Sequence, residues 1–390
     1  VIREIQIENF KSIKKLKLDL GRINVFIGEN GSGKSNILEA IALAGAAIAD
    51  KLDNEFLASR GIRTSEARHM RCALKGEESV DSITVTIAAS DGTNADISLS
   101  HDGKPYSNWK QQEDFAHFLS EKASETLSNA RELLKKMRPL SETRPETISA
   151  IRSLLSDLST ALASGAENAR CLKEFVIYSP ENHALRVFQK EGQIEPLGIQ
   201  GEGLLKFLQV LNEANEHEAA FAGIRQRLKV LGWFEDLRVP DPSTSLAARI
   251  EIQDRYLREG AGTLDQISAN EGFLFLLFYF CLFSTKLTPG FFAVDNVDAS
   301  LNPKLCAHLV IELAKLAEEN DKQAILTTHN PAMLDGLDLS DDEQRLFVIS
   351  RGDEGETKIR RIKQKDGNAA DVKLSTAFIN GYLGGLPKNF

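Results

Sequence analysis

The segment Gly28-Glu29-Asn30-Gly31-Ser32-Gly33-Lys34-Ser35 constrains this chain more than any other. It follows the apolar run Ile23-Asn-Val-Phe-Ile27 and precedes Asn36-Ile-Leu-Glu-Ala-Ile-Ala-Leu, whose apolar residues recur at helical spacing. Strand, glycine loop and helix in that order match the pattern GxxxxGK[ST] in the context its mechanism demands. Glycines let backbone amides curl around phosphate oxygens, and the helix that follows points its positive end at the same oxygens. Lys34 then spans the outer phosphates and Ser35 offers a hydroxyl to Mg²⁺. An α/β chain that binds a nucleoside triphosphate is the expectation.

A bound nucleotide with Mg²⁺ calls for an acid at the end of another buried strand. Phe291-Phe-Ala-Val-Asp295 supplies one, so Ser35 and Asp295 are the candidate metal residues. Other short apolar runs, Ala324–Thr327 and Arg345–Ile349, read as further buried parallel strands with helices between. Before them, Val1–Ile7, Leu16–Leu20, Ile83–Ile87 and Ala95–Leu99 alternate as strands do. Glu174–Tyr178 and Ala184–Phe188 also read as strands, Leu204–Glu216 as a helix, and Leu374–Leu386 as a terminal helix with a glycine stop.

Between these regions the period changes. Phe115, Phe118, Leu127, Ala130, Leu134 and Met137 and then Ile148, Ile151, Leu155, Leu158 and Leu162 recur mostly at three- and four-residue steps. A break with Pro139 and Pro145 separates them, and Thr143-Arg-Pro-Glu146 has capping-box spacing. The expectation is an antiparallel helical hairpin, either projecting or packed as a subdomain. The domains expected are 1–103 (N-terminal lobe with the glycine loop), 104–173 (helical insertion) and 174–390 (the remainder).

Beyond the glycine loop, the run Val294-Asp-Asn-Val-Asp-Ala-Ser-Leu-Asn-Pro303 resembles, in register, the Walker B and D-loop segment of ABC-type ATPases. Ile7-Glu-Asn-Phe-Lys-Ser12 is similar to the opening of RecF, SMC and OLD-type ATPases, and Thr327-Thr-His-Asn-Pro331 to their switch-histidine segment. Ile267-Ser-Ala-Asn-Glu271 stands where their signature motif belongs. The order is the family's and the matches reach both ends of the chain. The resemblance implies a P-loop ABC-type head with mixed sheets flanked by helices, in which two heads face each other. Each ATP would lie between one P-loop and the partner's signature. It places Ser268, Asn270, Glu271 and the D-loop Asn302 at that seam, and Lys11, Ser12 and Asn36 near the nucleotide. The bland alternatives are a strand edge for Lys11 and Ser12 and a helix cap for Asn302.

This chain departs from the pattern at Ala269 and Asn270, where two glycines often stand, and at Asn296, where the family keeps its catalytic glutamate. An amide orients water without taking its proton at neutral pH. Slow hydrolysis follows, with Lys34, Asp295, Asn296, Asp298 and His329 as the catalytic set and Asp298 or His329 as substitute for the glutamate. Stand-alone heads of this kind resemble the ATPase components of anti-phage systems such as Septu, Gabija and PARIS. The resemblance thus implies a homodimer through ATP, open to assembly into a higher homo-oligomer, with a separate effector protein, a nuclease or toxin. A RecF-like DNA-repair ATPase and a non-hydrolysing ATP-bound scaffold are the rivals.

Composition narrows the rest. A net charge of −9 disfavours a surface coated for nucleic acid, although Lys11, Lys14, Lys15 and Lys17, then Arg131, Lys135, Lys136 and Arg138, then Lys358, Arg360, Arg361, Lys363 and Lys365 form local basic clusters. Solvated faces are the preferred reading of each, with DNA kept open. Cys72, Cys171, Cys281 and Cys306 lie far apart with no CxxC pair, which suits a reducing cytosol rather than a zinc site. The longest apolar run, Gly272–Phe283, falls short of the roughly 20 residues of a membrane span and reads as a buried helix. No secretory signal pattern opens the sequence, and about forty residues follow Ile349. A cytoplasmic protein whose nuclease or toxin partner is a separate polypeptide is the expectation.

Overall fold

The computed structural model describes residues 1–75, 80–104, 107–111, 119–120, 163, 165–187, 196–213, 215–240, 249–258, 262–363 and 372–386. The expected hairpin, with its capping box at Thr143, lies almost wholly outside the described residues.

The chain opens with β1 (Ile2–Phe10), β2 (Ile13–Asp19) and β3 (Ile23–Ile27), followed by α1 (Lys34–Ile48), α2 (Asn54–Ser59) and α3 (Ala67–Met70). Next come β4 (Ser82–Ala89), β5 (Thr93–Ser100), β6 (Lys110–Gln111) and β7 (Leu119–Ser120). Strands β1, β2, β4, β5, β6 and β7 form an antiparallel sheet in the order β2-β1-β4-β5-β6, with β7 also on β5. The alternation read from the sequence is visible in burial: in β4 every second residue, from Ile83 to Ala89, is buried.

Then follow β8 (Ile177–Tyr178), α4 (Asn182–Arg186), α5 (Leu204–Glu213), α6 (Glu218–Leu228), β9 (Phe234–Arg238) and β10 (Glu251–Asp254). The last stretch holds α7 (Glu271–Ser284), β11 (Phe291–Val294), α8 (Pro303–Glu319), β12 (Gln323–Thr328), β13 (Gln344–Arg351), β14 (Thr357–Ile362) and α9 (Leu374–Ile379). The second large sheet runs β14-β13-β3-β12-β11-β8, parallel except for the β13–β14 hairpin.

Two cores line the faces of that sheet. Phe26 and Ile325 point to one side, with Ile37, Leu38 and Ile41 of α1 and the inner face of the antiparallel sheet. Val25, Ile27 and Leu326 point to the other, against Phe273–Phe283 of α7 and the apolar faces of α5, α6 and α8. The strand period of two therefore splits β3 between both cores, which explains why all five of its residues are buried. Helix α7 is buried from Gly272 to Ser284, as its unbroken apolar run predicts, and no described helix is long and apolar enough to cross a membrane.

Two sequence expectations are corrected. Ala184–Phe188 was expected as a strand; Asn182–Arg186 is a helix, with Ala184 and Leu185 both buried and Arg186 Nε donating to Asn182 Oδ1 one turn back at 2.6 Å. Five residues are too few to separate the two periods, and packing against α7 decides. The strand expected over Glu174–Tyr178 shrinks to Ile177–Tyr178.

Candidate nucleotide site

Parallel β3, β11 and β12 all end at the same edge of the sheet, the edge at which open α/β sheets bind ligands. The chain leaves β3 through Gly28 and returns as α1 from Lys34. A Cβ on Gly28 would lie 2.0 Å from the Ile349 carbonyl oxygen, and one on Gly33 (φ 106°) 2.1 Å from Thr357 Oγ1. Only glycine fits both positions, because backbone and a packed side chain already fill the space a Cβ would take. Ser32 is buried and its hydroxyl has no partner among the described residues. Such a cradle, with one orphaned donor inside, fits phosphate oxygens.

Lys34 is buried in the loop, its Nζ donating to the carbonyls of Gly28 (2.9 Å) and Glu29 (3.0 Å). Desolvation lowers its pKa to about 8, against the opposing pull of Asp295, Glu29 and Asp298. Ser35 Oγ donates to Asp295 Oδ2 at 3.0 Å, and Thr327 Oγ1 donates to the other carboxylate oxygen. The expected metal pair is therefore in contact across 260 residues of sequence.

Asn296 adopts φ 56°, the left-handed region that asparagine tolerates better than glutamate, and its N–H donates to Thr327 Oγ1 at 2.9 Å. Asp298 accepts from Thr328 Oγ1 at 2.6 Å and from the His329 N–H at 3.3 Å. The His329 pKa is lowered, first by burial and then by the Lys34 charge, against Asp298 and Asp295. Its imidazole is neutral at pH 7 and keeps one nitrogen as an acceptor.

Lys11 and Ser12 stand in the turn between β1 and β2. Lys11 (φ 48°) pairs with the buried Glu39 of α1. Ser12 Oγ lies 2.7 Å from Thr357 Oγ1 and accepts from Asn36 Nδ2 at 2.7 Å, so the turn is joined to the first residues of α1. The signature and D-loop residues form a separate cluster. Ser268 N donates to Asp265 Oδ1 at 2.8 Å, Ser300 Oγ donates to Glu271, and Asn302 caps α8 by accepting from Leu305 N at 3.0 Å. Among the described residues the side chains of Ser268, Asn270, Glu271 and Asn302 make no hydrogen bond to the glycine loop. Asn270 is the N-cap residue of α7 with no side-chain cap bond.

Sequence reading missed Thr327 and Thr328 as the groups that orient the two aspartates, although both lie in a segment it singled out. It also missed Glu39, Thr357 and Arg63, which donates to Glu39 at 2.5 Å; they belong to no short motif and meet only through the fold. The basic clusters are largely paired: Lys15 with Glu8 and Lys17 with Glu4 at 2.7 Å each, Lys358 with Glu356 at 2.8 Å, and Arg361 with Asp342. The cluster at Arg131–Arg138 lies outside the described residues.

Residues 23–335 match the family model described as "AAA domain, putative AbiEii toxin, Type IV TA system". The chain belongs to this AAA domain family. Among curated proteins, an uncharacterized protein of Methanocaldococcus jannaschii is 52% identical over 44 residues, 11% of this chain and 20% of that protein. The DNA replication and repair protein RecF of Lactococcus lactis subsp. cremoris is 37% identical over 73 residues, 18% of this chain and 17% of that one. The chain thus spans a fifth or less of the curated relatives it matches.

Among solved structures, the Smc head bound to the C-winged helix domain of ScpA superposes with a TM-score of 0.54 at 18% identity, covering 93% of this chain and 98% of that one. The Smc head with an extended coiled coil bound to the C-terminal domain of ScpA, from Pyrococcus furiosus, gives 0.50 at 16% identity, covering 93% and 96%. This AAA domain protein therefore has the SMC-head-like P-loop fold, α/β with mixed sheets flanked by helices, and resembles ABC-type, RecF/SMC-like ATPases. The family's chemistry is nucleotide binding, typically with Mg²⁺.

Proposed function

We propose that the chain binds Mg-ATP at Gly28–Ser35 and hydrolyses it slowly as a homodimer, each nucleotide closed between one P-loop and the signature of the partner subunit. The observation that carries this reading is the convergence of Ser35, Asp295 and Thr327, with Asp298 beside them on Thr328 and His329. In this reading the loop amides, Lys34, Asn36, Lys11 and Ser12 hold ATP, and Ser35 and Asp295 hold Mg²⁺, which would neutralise phosphate charge. Asp298, kept in one rotamer by the Thr328 hydroxyl, orients the attacking water and receives its proton; His329 bonds the γ-phosphate side. Ser268, Asn270, Glu271 and Asn302 meet the partner's nucleotide. Residues 104–173 form the insertion between the lobes 1–103 and 174–390.

We further propose that nucleotide-dependent dimer geometry controls a separate effector protein, in anti-phage defence. The family's description as a putative AbiEii toxin of a Type IV TA system supports a place beside a second component, and the partner-bound Smc heads support a protein partner on such a head. The paired state of Lys15, Lys17 and Lys358 favours this over a DNA-binding RecF-like role. A second reading, a non-hydrolysing ATP-bound scaffold, rests on Asn296, whose left-handed backbone disfavours glutamate there.

ATP turnover and mass by light scattering, with and without Mg-ATP and against Lys34→Ala, test the proposal. Turnover and a doubled mass that both require Lys34 support it. ATP binding with a stable assembly and no turnover replaces it with the scaffold reading, and a monomer under all conditions refutes the dimer.

A further inference from the structure

Helix α4, read from the sequence as a strand, places a guanidinium against the signature loop. Arg186 Nη1 donates to the Gln266 carbonyl at 3.1 Å and also to the Ile267 carbonyl, while its Nε is fixed on Asn182 Oδ1. On the other side, the Ser268 N–H donates to Asp265 Oδ1 at 2.8 Å, and hydrogen bonds from the Ser268 backbone and side chain hold the Asp265 carboxyl below its usual range. The peptide joining Ile267 to Ser268 is therefore gripped at both ends, its oxygen by Arg186 and its hydrogen by Asp265. A trans peptide is planar, so fixing both ends fixes the plane and with it the place of the Ser268 Cα that carries the side chain.

The two grips differ in reach. Asp265 belongs to the loop and can hold its shape wherever the loop goes. Arg186 is 80 residues away in sequence and ties the loop to α4, beside the bond that Gln266 Oε1 accepts from Ile250 N at 3.1 Å. The segment that carries Arg186 begins at β8, where the Tyr178 carbonyl accepts from Asp295 N at 2.8 Å. Eight residues of chain thus join the strand beside the metal-binding aspartate to the loop that is presented to a second subunit. Ile267, two-thirds exposed, and Ser268, also exposed, stand free for that contact.

We propose that Arg186 is the positioning residue of the signature loop: it sets Ser268 and the N-terminus of α7 toward the nucleotide held by the partner subunit and takes no part in binding its own. This rests on the sandwich-dimer reading above. Losing the guanidinium frees two carbonyls and the peptide plane between them, and the loop then pays an ordering cost each time the dimer closes.

The test uses the full chain. For Arg186→Ala, binding of a fluorescent ADP analogue to the protomer stays within about twofold of wild type, while the ATP concentration needed to double the mass rises about tenfold or more and turnover falls with it. Arg186→Lys, one donor group without the fork, falls between the two. Mixing Arg186→Ala with Lys34→Ala then separates positioning from a general folding defect. Half of the randomly mixed dimers would hold one intact composite site, the P-loop of the first variant closed by the signature of the second, and turnover would recover to about a quarter of the wild-type rate.

No recovery on mixing overturns the proposal, because the Arg186→Ala protomer would then be defective beyond its signature. Wild-type dimerisation and turnover by Arg186→Ala overturn it as well and leave the sandwich reading standing. A wild-type chain that stays monomeric in Mg-ATP overturns the sandwich reading itself, and this inference with it.

Discussion

Lys34 gives the sharpest pH prediction. In the protein alone its ammonium is held by two loop carbonyls and desolvated, with a pKa of about 8. Phosphate oxygens would return that pKa to at least its ordinary value, so binding and protonation are linked: a group that binds its proton more tightly in the complex makes affinity fall once the pH exceeds its pKa in the free protein. The window is therefore about pH 8 to 10.5, and below it the charged lysine is present in both states. Between about pH 7.5 and pH 9 the protonated fraction in the free protein drops from roughly three quarters to a tenth, and affinity for Mg-ADP should weaken about eightfold. Calorimetry at about pH 9 in two buffers of different ionisation enthalpy should show uptake of nearly one proton per nucleotide, and Lys34→Met should show none above background. An affinity flat across the window, or equal uptake in the methionine variant, would refute the desolvated-lysine account.

Three further outcomes follow from the same geometry. Asp298→Asn keeps an oxygen to accept from Thr328 and His329 but cannot take a proton, so kcat should fall about a hundredfold while Mg-ADP affinity holds; unchanged kcat would move the role elsewhere. Asn296→Glu should lower stability in urea by about 1 kcal/mol and Asn296→Gly by less than about 0.5, because the position sits at φ 56°; equal losses would remove the backbone explanation. Gly45 in α1 faces the Leu172 carbonyl so closely that an added Cβ would lie 2.1 Å from its oxygen; Gly45→Ala should destabilise by about 2 kcal/mol or more instead of giving the usual helical gain of about 1.

The parts of the fold that follow from local periodicity were legible in the sequence: the alternating strands of the first sheet, the uniformly apolar α7 and the strand–loop–helix around Lys34. So was the pairing of Ser35 with Asp295, since the mechanism of the motif requires an acid at a neighbouring strand end. What the sequence did not disclose depends on partners distant in the chain. Helix α4 was misread because five residues carry too little period and its backbone is decided by the packing of Ala184 and Leu185, with Leu185 set against α7. The threonines that hold Asp295 and Asp298 were seen only as neighbours of a histidine, and Glu39, Arg63 and Thr357 had no pattern to announce them. Asn296 looked like a lost catalytic acid, and its left-handed backbone adds a conformational reason for asparagine there.

Strand β3 has a history as well as a position. Its neighbours β12 and β13 pair with it at Ile23↔Ala324 and Gln344↔Ile23, about three hundred residues later. At typical elongation rates of roughly 5 to 20 residues per second, this strand, apolar but for Asn24, emerges from the ribosome many seconds before either neighbour exists. Non-local parallel pairing is intrinsically slow, and an unpaired apolar strand invites pairing with the wrong chain. The first sheet and α1, built from nearby sequence, can form early and cover one face of β3, yet both its edges must wait. The glycine loop that leaves β3, some three hundred residues ahead of β12 and β13, is thus among the last parts of the molecule to acquire its final shape.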